Sequence, residues 1–295
     1  MKSYEQGNYD LNHISKLKEI LKKMKKIKKT IGLVMADNNI QHKFKIAICL
    51  SGHSKHWNTT AENIKNYFNF KNNTDLGIDI ETDYFIHTWD TACLGETVKH
   101  NDKDKIIETF NPVNFEQEDF IKENFNRAWE HLFYGHSKCL MLKRNHELDL
   151  DFEYNLVIRI KFGVLYDEDN KFSLQKIYPS MTCYTSRIYK TPIEFNSNSF
   201  DDNIFWGNSL TMDLVGDQYY SFLEANGKLP TEHIIYPPIP FSERSENVRI
   251  VNEDLNISEF LGPASLLYDH MKKIEIRPEQ MKISYTVISD ANQIK

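Results

Sequence analysis

The sequence predicts an α/β domain with a central, mostly parallel sheet flanked by helices, and three stretches carry that expectation. Residues 46–50 of KIAICLSGHSKHW form an unbroken apolar run with β-branched members. A strand apolar on both faces suits a parallel sheet covered on both sides better than an antiparallel one with a wet face. Within about forty residues a helical pattern and a second strand follow, the crossover length of a parallel unit. A third strand, YNLVIRIKFG at 154–163, is apolar at its start and alternates at its end.

The first run stops at Ser51-Gly52, where small residues let a ligand approach the backbone. A polar loop with His53, Lys55 and His56 comes next. Ligands of open α/β sheets sit beyond the carboxyl ends of the strands, so a site is expected there first. Residues 58–70 read as a helix, with Ile64, Tyr67 and Phe68 at helical spacing, and 71–77 as a turn. The second strand falls within 78–88 and ends in Trp89-Asp90. Residues 103–110 read as a short helix closed by Asn111-Pro112, and 116–147 as mostly helical with a break near Gly135.

In the third strand Ile158, Ile160 and Phe162 share one side, and Arg159, Lys161 and Gly163 the other. Two cations on one face cannot sit unpaired in apolar core. Either acidic neighbours neutralise them or they face a site that takes an anion. Asp167-Glu168-Asp169 and a strand near 183–186 come next. Residues 201–209 lead into a helix over 212–226, and Pro230-Thr231-Glu232-His233 opens another, with Glu232 suited to its first turn. A strand at 248–251, a helix at 264–273 and a last strand or tail at 282–287 follow.

The chain's 295 residues suffice for one large α/β domain or two small ones. No apolar run approaches the ~20 residues of a membrane-spanning helix, and the N-terminus lacks a signal-peptide core, so a cytoplasmic protein is expected. Cys49, Cys93, Cys139 and Cys183 are scattered without metal-type spacing and read as reduced thiols. Residues 1–45 hold eleven Lys and four acids, whereas the rest carries 25 bases and 38 acids. So acidic a body is a poor polyanion binder, which argues against nucleic acid as a partner.

Ile14, Leu17, Leu21 and Met24 make one stripe of a lysine-rich helix over 11–30. Such a helix can make peripheral contact with an anionic membrane. The preferred reading is a solvated helix packing its stripe on the acidic body. The expected organisation is therefore a basic amphipathic helix and linker over 1–43, followed by an α/β domain over 44–295.

Several segments, in order, resemble a group of glycosyltransferases of phages, large DNA viruses and some bacteria. The matching stretches are SGHSKHW, DYFIHTWD at 83–90, Leu142-Lys143 with Glu147, YNLVIRIKFG, and 202–213 from Asp-Asn-x-Phe to Met-Asp. A glutamate after a proline, similar to Glu232, extends the likeness, which covers about Lys45 to Tyr236. The resemblance implies a GT-A-like, Rossmann-like domain, with a nucleotide half over about 44–170 and an acceptor half over about 171–295. It implies a nucleotide-sugar donor, a glycan or lipid acceptor, and Mn²⁺ or Mg²⁺ bridging the donor diphosphate. Where the group has an aspartate at the end of the third strand, this chain has Gly163, and Lys161 stands for the usual arginine. An acid near that point often holds the metal in GT-A enzymes.

Chemistry assigns roles within that frame. A sugar-nucleotide diphosphate gains charge as its glycosidic bond breaks, so cations or a metal must stabilise it. Arg159, Lys161 and Lys55 are the candidate cations, Ser51 and Gly52 offer backbone N–H groups, and Trp89, with His87 and Asp90 beside it, is placed to stack on a base. An ordinary polar strand end with an aromatic plug explains His87 and Trp89 equally well. Asp167 and Asp169 are weak metal candidates, better placed than Asp149 and Asp151, which precede their strand. The His53-x-x-His56 pair has no third ligand and reads as a solvated loop. Asp202 and Glu232 are the candidate bases for the acceptor hydroxyl. The competing functions are a catalytically degenerate sugar-nucleotide or glycan-binding module and a sulfotransferase-like enzyme. The G-x-x-x-x-G-K-[ST] phosphate cradle is missing from SGHSKHW.

Overall fold

The computed structural model describes residues 43–70, 78–91, 102–121, 130–175, 177–186, 202–217, 267, 270–271, 274–281 and 283–288. The basic helix expected at 11–30, the helix opening at Glu232 and the strand at 248–251 lie outside the described residues.

The sheet begins with β1 (Phe44–Gly52), crosses through α1 (Trp57–Tyr67) to β2 (Ile80–Trp89), then through α2 (Lys103–Phe110) to β3 (Asn114–Glu118). Helix α3 (Glu130–Leu150) returns to β4 (Leu156–Lys161). Then come β5 (Val164–Tyr166), β6 (Thr182–Ser186), β7 (Ile204–Gly207), α4 (Ser209–Gly216), β8 (Arg277–Met281) and β9 (Tyr285–Val287). Among the described residues seven strands form one sheet in the order β3-β2-β1-β4-β7-β6-β8, and β5 pairs with β9 apart from it. Strands β3, β2, β1 and β4 are parallel, β7 runs antiparallel to β4 and β6, and β8 is parallel to β6.

Burial explains why β1 reads as a continuous apolar run. Ile46, Ile48 and Leu50 pack with Ala61 and Ile64 of α1 in one core, while Ala47 and Cys49 pack with Phe133, Cys139 and Leu140 of α3 in another. The period of two sends successive side chains to opposite faces, and both faces are dry. Strand β4 follows the same rule. Leu156, Ile158 and Ile160 join the first core, so Arg159 faces the α3 side.

Three expectations change. Residues 114–118 form β3, an edge strand on β2, where a helix had been expected from 116. Helix α3 continues through Gly135 without a break, because its hydrogen-bond ladder needs no side chain there. The third strand ends at Lys161, and Gly163 turns the chain out of the sheet with φ +73°.

A buried ionic clamp fastens α3 to α4 toward the amino end of β4. Lys143, fully buried, lies 2.8 Å from Glu147 Oε2 and 2.6 Å from Asp213 Oδ1, and donates to Ser209 Oγ at 2.5 Å. Glu147 Oε1 accepts from the Tyr154 N–H at 2.7 Å, and Arg144 Nε lies 3.2 Å from Asp213 Oδ2. Lys143, Glu147 and Asp213 thus hold the scaffold, well away from the carboxyl edge of the sheet.

Candidate functional site

The register brings the ends of three strands to one edge. Ser51 is level with His87 on β2 and with Lys161 on β4. Because β7 is antiparallel, its start arrives where β4 ends, and Asp202-Asn203 meet Lys161 across 41 residues of sequence. The Lys161 N–H donates to the Asn203 carbonyl at 3.1 Å and locks this junction.

Arg159 is fully buried. Its Nε donates to Ser51 Oγ at 3.0 Å, its Nη2 to the Ser51 carbonyl at 3.4 Å, and its Nη1 to the Asp202 carbonyl. The guanidinium lies 5.4 Å from the centre of the Phe205 ring. Arg159 therefore positions the Ser51 and Asp202 backbones instead of reaching outward. Lys161 is the outward cation: its Nζ lies 2.6 Å from Asp202 Oδ2, and the side chains are 25% and 22% exposed. Burial alone would raise the Asp202 carboxyl, but attraction and a hydrogen bond from Lys161, with Arg159 beyond, outweigh it and hold it below the ordinary range. A carboxylate so stabilised is a weak proton acceptor, which counts against the expected role of Asp202 as a base. Glu232, the other candidate, lies outside the described residues.

Gly52 borders this junction with φ +116°, and none of the described residues lies within 4 Å of where a Cβ would stand. The left-handed backbone and the open space together are what close approach of a ligand requires. The loop that follows packs back on β4, since a Cβ on Gly163 would stand 3.2 Å from the Lys55 carbonyl. Lys55 thus belongs to the same edge through its backbone.

Two imidazoles flank the cations. His136 is 3% exposed, and both its ring nitrogens are buried without a hydrogen-bond partner among the described residues. Burial first, then the charges of Arg159 and Lys161, push its pKa well down, so it stays neutral. His131 is pushed down to about 4 by burial, His53 and Lys161. Neither was singled out in the sequence, where each looks like one more member of an apolar helix pattern; a histidine inside an otherwise apolar stripe was the available signal.

The rest of the expected donor set is turned inward. Trp89 is 2% exposed, edge-on to His87 at 5.1 Å and to Phe120 at 5.4 Å, and stacked on Tyr134 at 5.5 Å. Its indole is an aromatic plug with no open face for a nucleobase. His87 is fully buried, with Nε2 3.1 Å from Glu118 Oε1. Glu118 also accepts from Tyr134 at 2.8 Å and pairs with Lys138 at 3.1 Å. Burial opposes its ionisation, but hydrogen bonds from His87, Tyr134 and Lys138 prevail and bring its carboxyl down to about 2. Asp90 accepts from the Phe120 N–H at 2.8 Å. These three residues reach the expected edge, yet packing and backbone bonds occupy them.

The described acidic candidates do not assemble a site for a divalent ion. Asp167 accepts from the Asp169 N–H and from Asn170 Nδ2, closing its own turn, and Glu168 accepts from Asn63. Gly163 offers no carboxylate, and Lys161 holds Asp202. Among the described residues no three metal-ligating side chains gather in one place. None of the helices formed by those residues is long and apolar enough to cross a membrane.

Compared with protein-family models and with curated proteins, the chain finds no match.

Proposed function

We propose that this protein is a glycosyltransferase of GT-A type, taking a nucleotide-sugar donor at the carboxyl edge of β1 and β4 and passing its sugar to a glycan or lipid acceptor. One observation carries this function: Ser51, Gly52, Arg159, Lys161 and Asp202, far apart in sequence, converge at that edge, where the described residues leave space beside Gly52. A parallel first half and a mixed second half, joined at β4–β7, agree with the two-part architecture that the GT-A resemblance implies. In this scheme Lys161 meets the diphosphate, whose charge grows as the glycosidic bond breaks. Arg159 holds Ser51 and the Asp202 backbone in register and adds its field from below. Fixed donors of this kind need not reorganise during the reaction, and therefore act chiefly on the transition state.

A second function has its own support. Gly163 and the Lys161–Asp202 pair suit a degenerate transferase that binds a sugar nucleotide or glycan without turning it over. A thermal-shift panel of UDP-, GDP- and CMP-sugars, with adenosine phosphosulfate as the outsider, tests both. At a hundredfold excess over Kd, one sugar nucleotide should raise the Tm by about 5–10 °C. Donor hydrolysis then separates enzyme from binding module. A shift with adenosine phosphosulfate alone, or with nothing, refutes the proposal.

A further inference from the structure

The resemblance calls for a divalent metal under the donor diphosphate, and the described residues at this edge are the wrong ones to hold it. We infer that the protein binds that diphosphate without a divalent cation, Lys161 being its direct partner and Asp202 an internal anion that gives Lys161 up when the ligand arrives. This inference rests on the function proposed above and deepens it.

Three observations on the geometry converge. The position where the resembling group carries its acid is Gly163, whose φ of +73° and whose would-be Cβ, 3.2 Å from the Lys55 carbonyl, leave a tight backbone turn and no ligand atom. The carboxylate that the described residues bring to the strand end is Asp202, and its Oδ2 already lies 2.6 Å from an ammonium. Arg159, Lys161 and Asp202 together carry one net positive charge, and His136 beside them is neutral, so the junction attracts an anion and repels a metal ion. A phosphate oxygen and a carboxylate oxygen make the same demand on an ammonium, a charged acceptor at about 2.8 Å. Asp202 therefore stands where a ligand oxygen would stand. Its side chain is partly exposed and can swing out, while Arg159 keeps hold of the main-chain carbonyl. Exchange of one anion for another keeps Lys161 paired throughout and avoids leaving a charge unpaired in a half-buried site.

The test is calorimetric titration of the full chain with UDP, GDP, CDP and inorganic pyrophosphate, in EDTA and again in Mn²⁺ or Mg²⁺. Affinity for the best nucleoside diphosphate should agree within about twofold between the two conditions. Lys161→Met should weaken it by about tenfold or more, as loss of a charged hydrogen bond does. Lys161→Arg should keep most of it, which guards against a mere folding defect. Asp202→Asn, nearly isosteric, should tighten binding, since a competing anion has gone. Binding that appears only with the metal, or an Asp202→Asn variant that binds more weakly, overturns the inference while sparing the proposed function. Failure of every nucleoside diphosphate in both conditions overturns both.

Discussion

Replacing Lys143 by methionine keeps the length of the side chain and removes its charge from the α3–α4 clamp. The wild-type ammonium is fully buried, 2.8 Å from Glu147 and 2.6 Å from Asp213. Without it, Asp213 keeps Arg144 at 3.2 Å, but Glu147 keeps only neutral donors, the Tyr154 N–H and the Ser209 hydroxyl. Breaking a buried pair from one side leaves an uncompensated charge and costs about 3–5 kcal/mol. For a domain of this size that is a Tm lower by about 6–20 °C. Urea denaturation and calorimetry of Lys143→Met, Glu147→Gln and the double variant supply the test. The double variant should recover part of the loss, because the stranded carboxylate has gone with its partner. A Lys143→Met variant destabilised by less than about 1 kcal/mol would refute the clamp, and with it the assignment of these motif residues to the scaffold.

Gly135→Ala should stabilise α3 by up to about 1 kcal/mol, since alanine is the better helix former. The added methyl would sit at ordinary contact distance, 3.5 Å from His87 Nδ1 and 3.7 Å from the Gly52 nitrogen. A lower urea midpoint would show that the helix needs glycine there. Glu118→Gln should destabilise the protein at neutral pH, with the gap to wild type closing in acid. Its folded carboxyl titrates at about 2 against an ordinary 4.5, so its contribution is complete above about pH 4.5 and disappears as the pH falls toward 2. Urea midpoints across that range check it, and a gap independent of pH would remove Glu118 from the His87–Tyr134–Lys138 network.

The interior of this fold was legible because dry strands leave a dense apolar record. β1, with both faces buried, reads as a parallel strand from five residues, and the alternation in β4 by itself places Arg159 and Lys161 opposite Ile158 and Ile160. The two edge strands of the large sheet left no such record. β3 is NFEQE and β8 is RPEQM, and a strand paired on one side keeps charges and proline that blunt its free edge. Neither alternates cleanly, so neither announced itself.

What the sequence determined by itself was the α/β class, the opening strand–helix–strand unit of β1, α1 and β2, and the presence of two cations on one strand face that had to meet an anion. Only the tertiary structure decided which anion. The Lys161–Asp202 pair exists because β7 runs antiparallel and delivers its start to the end of β4, a relation between segments 41 residues apart that no local pattern encodes. The same holds for Trp89. An indole at a strand end can stack on a ligand or plug a core, and here Tyr134 and Phe120, brought in by α3 and the chain after β3, cover it. Periodicity reports which face of an element is buried; what it is buried against depends on the packing of elements distant in sequence.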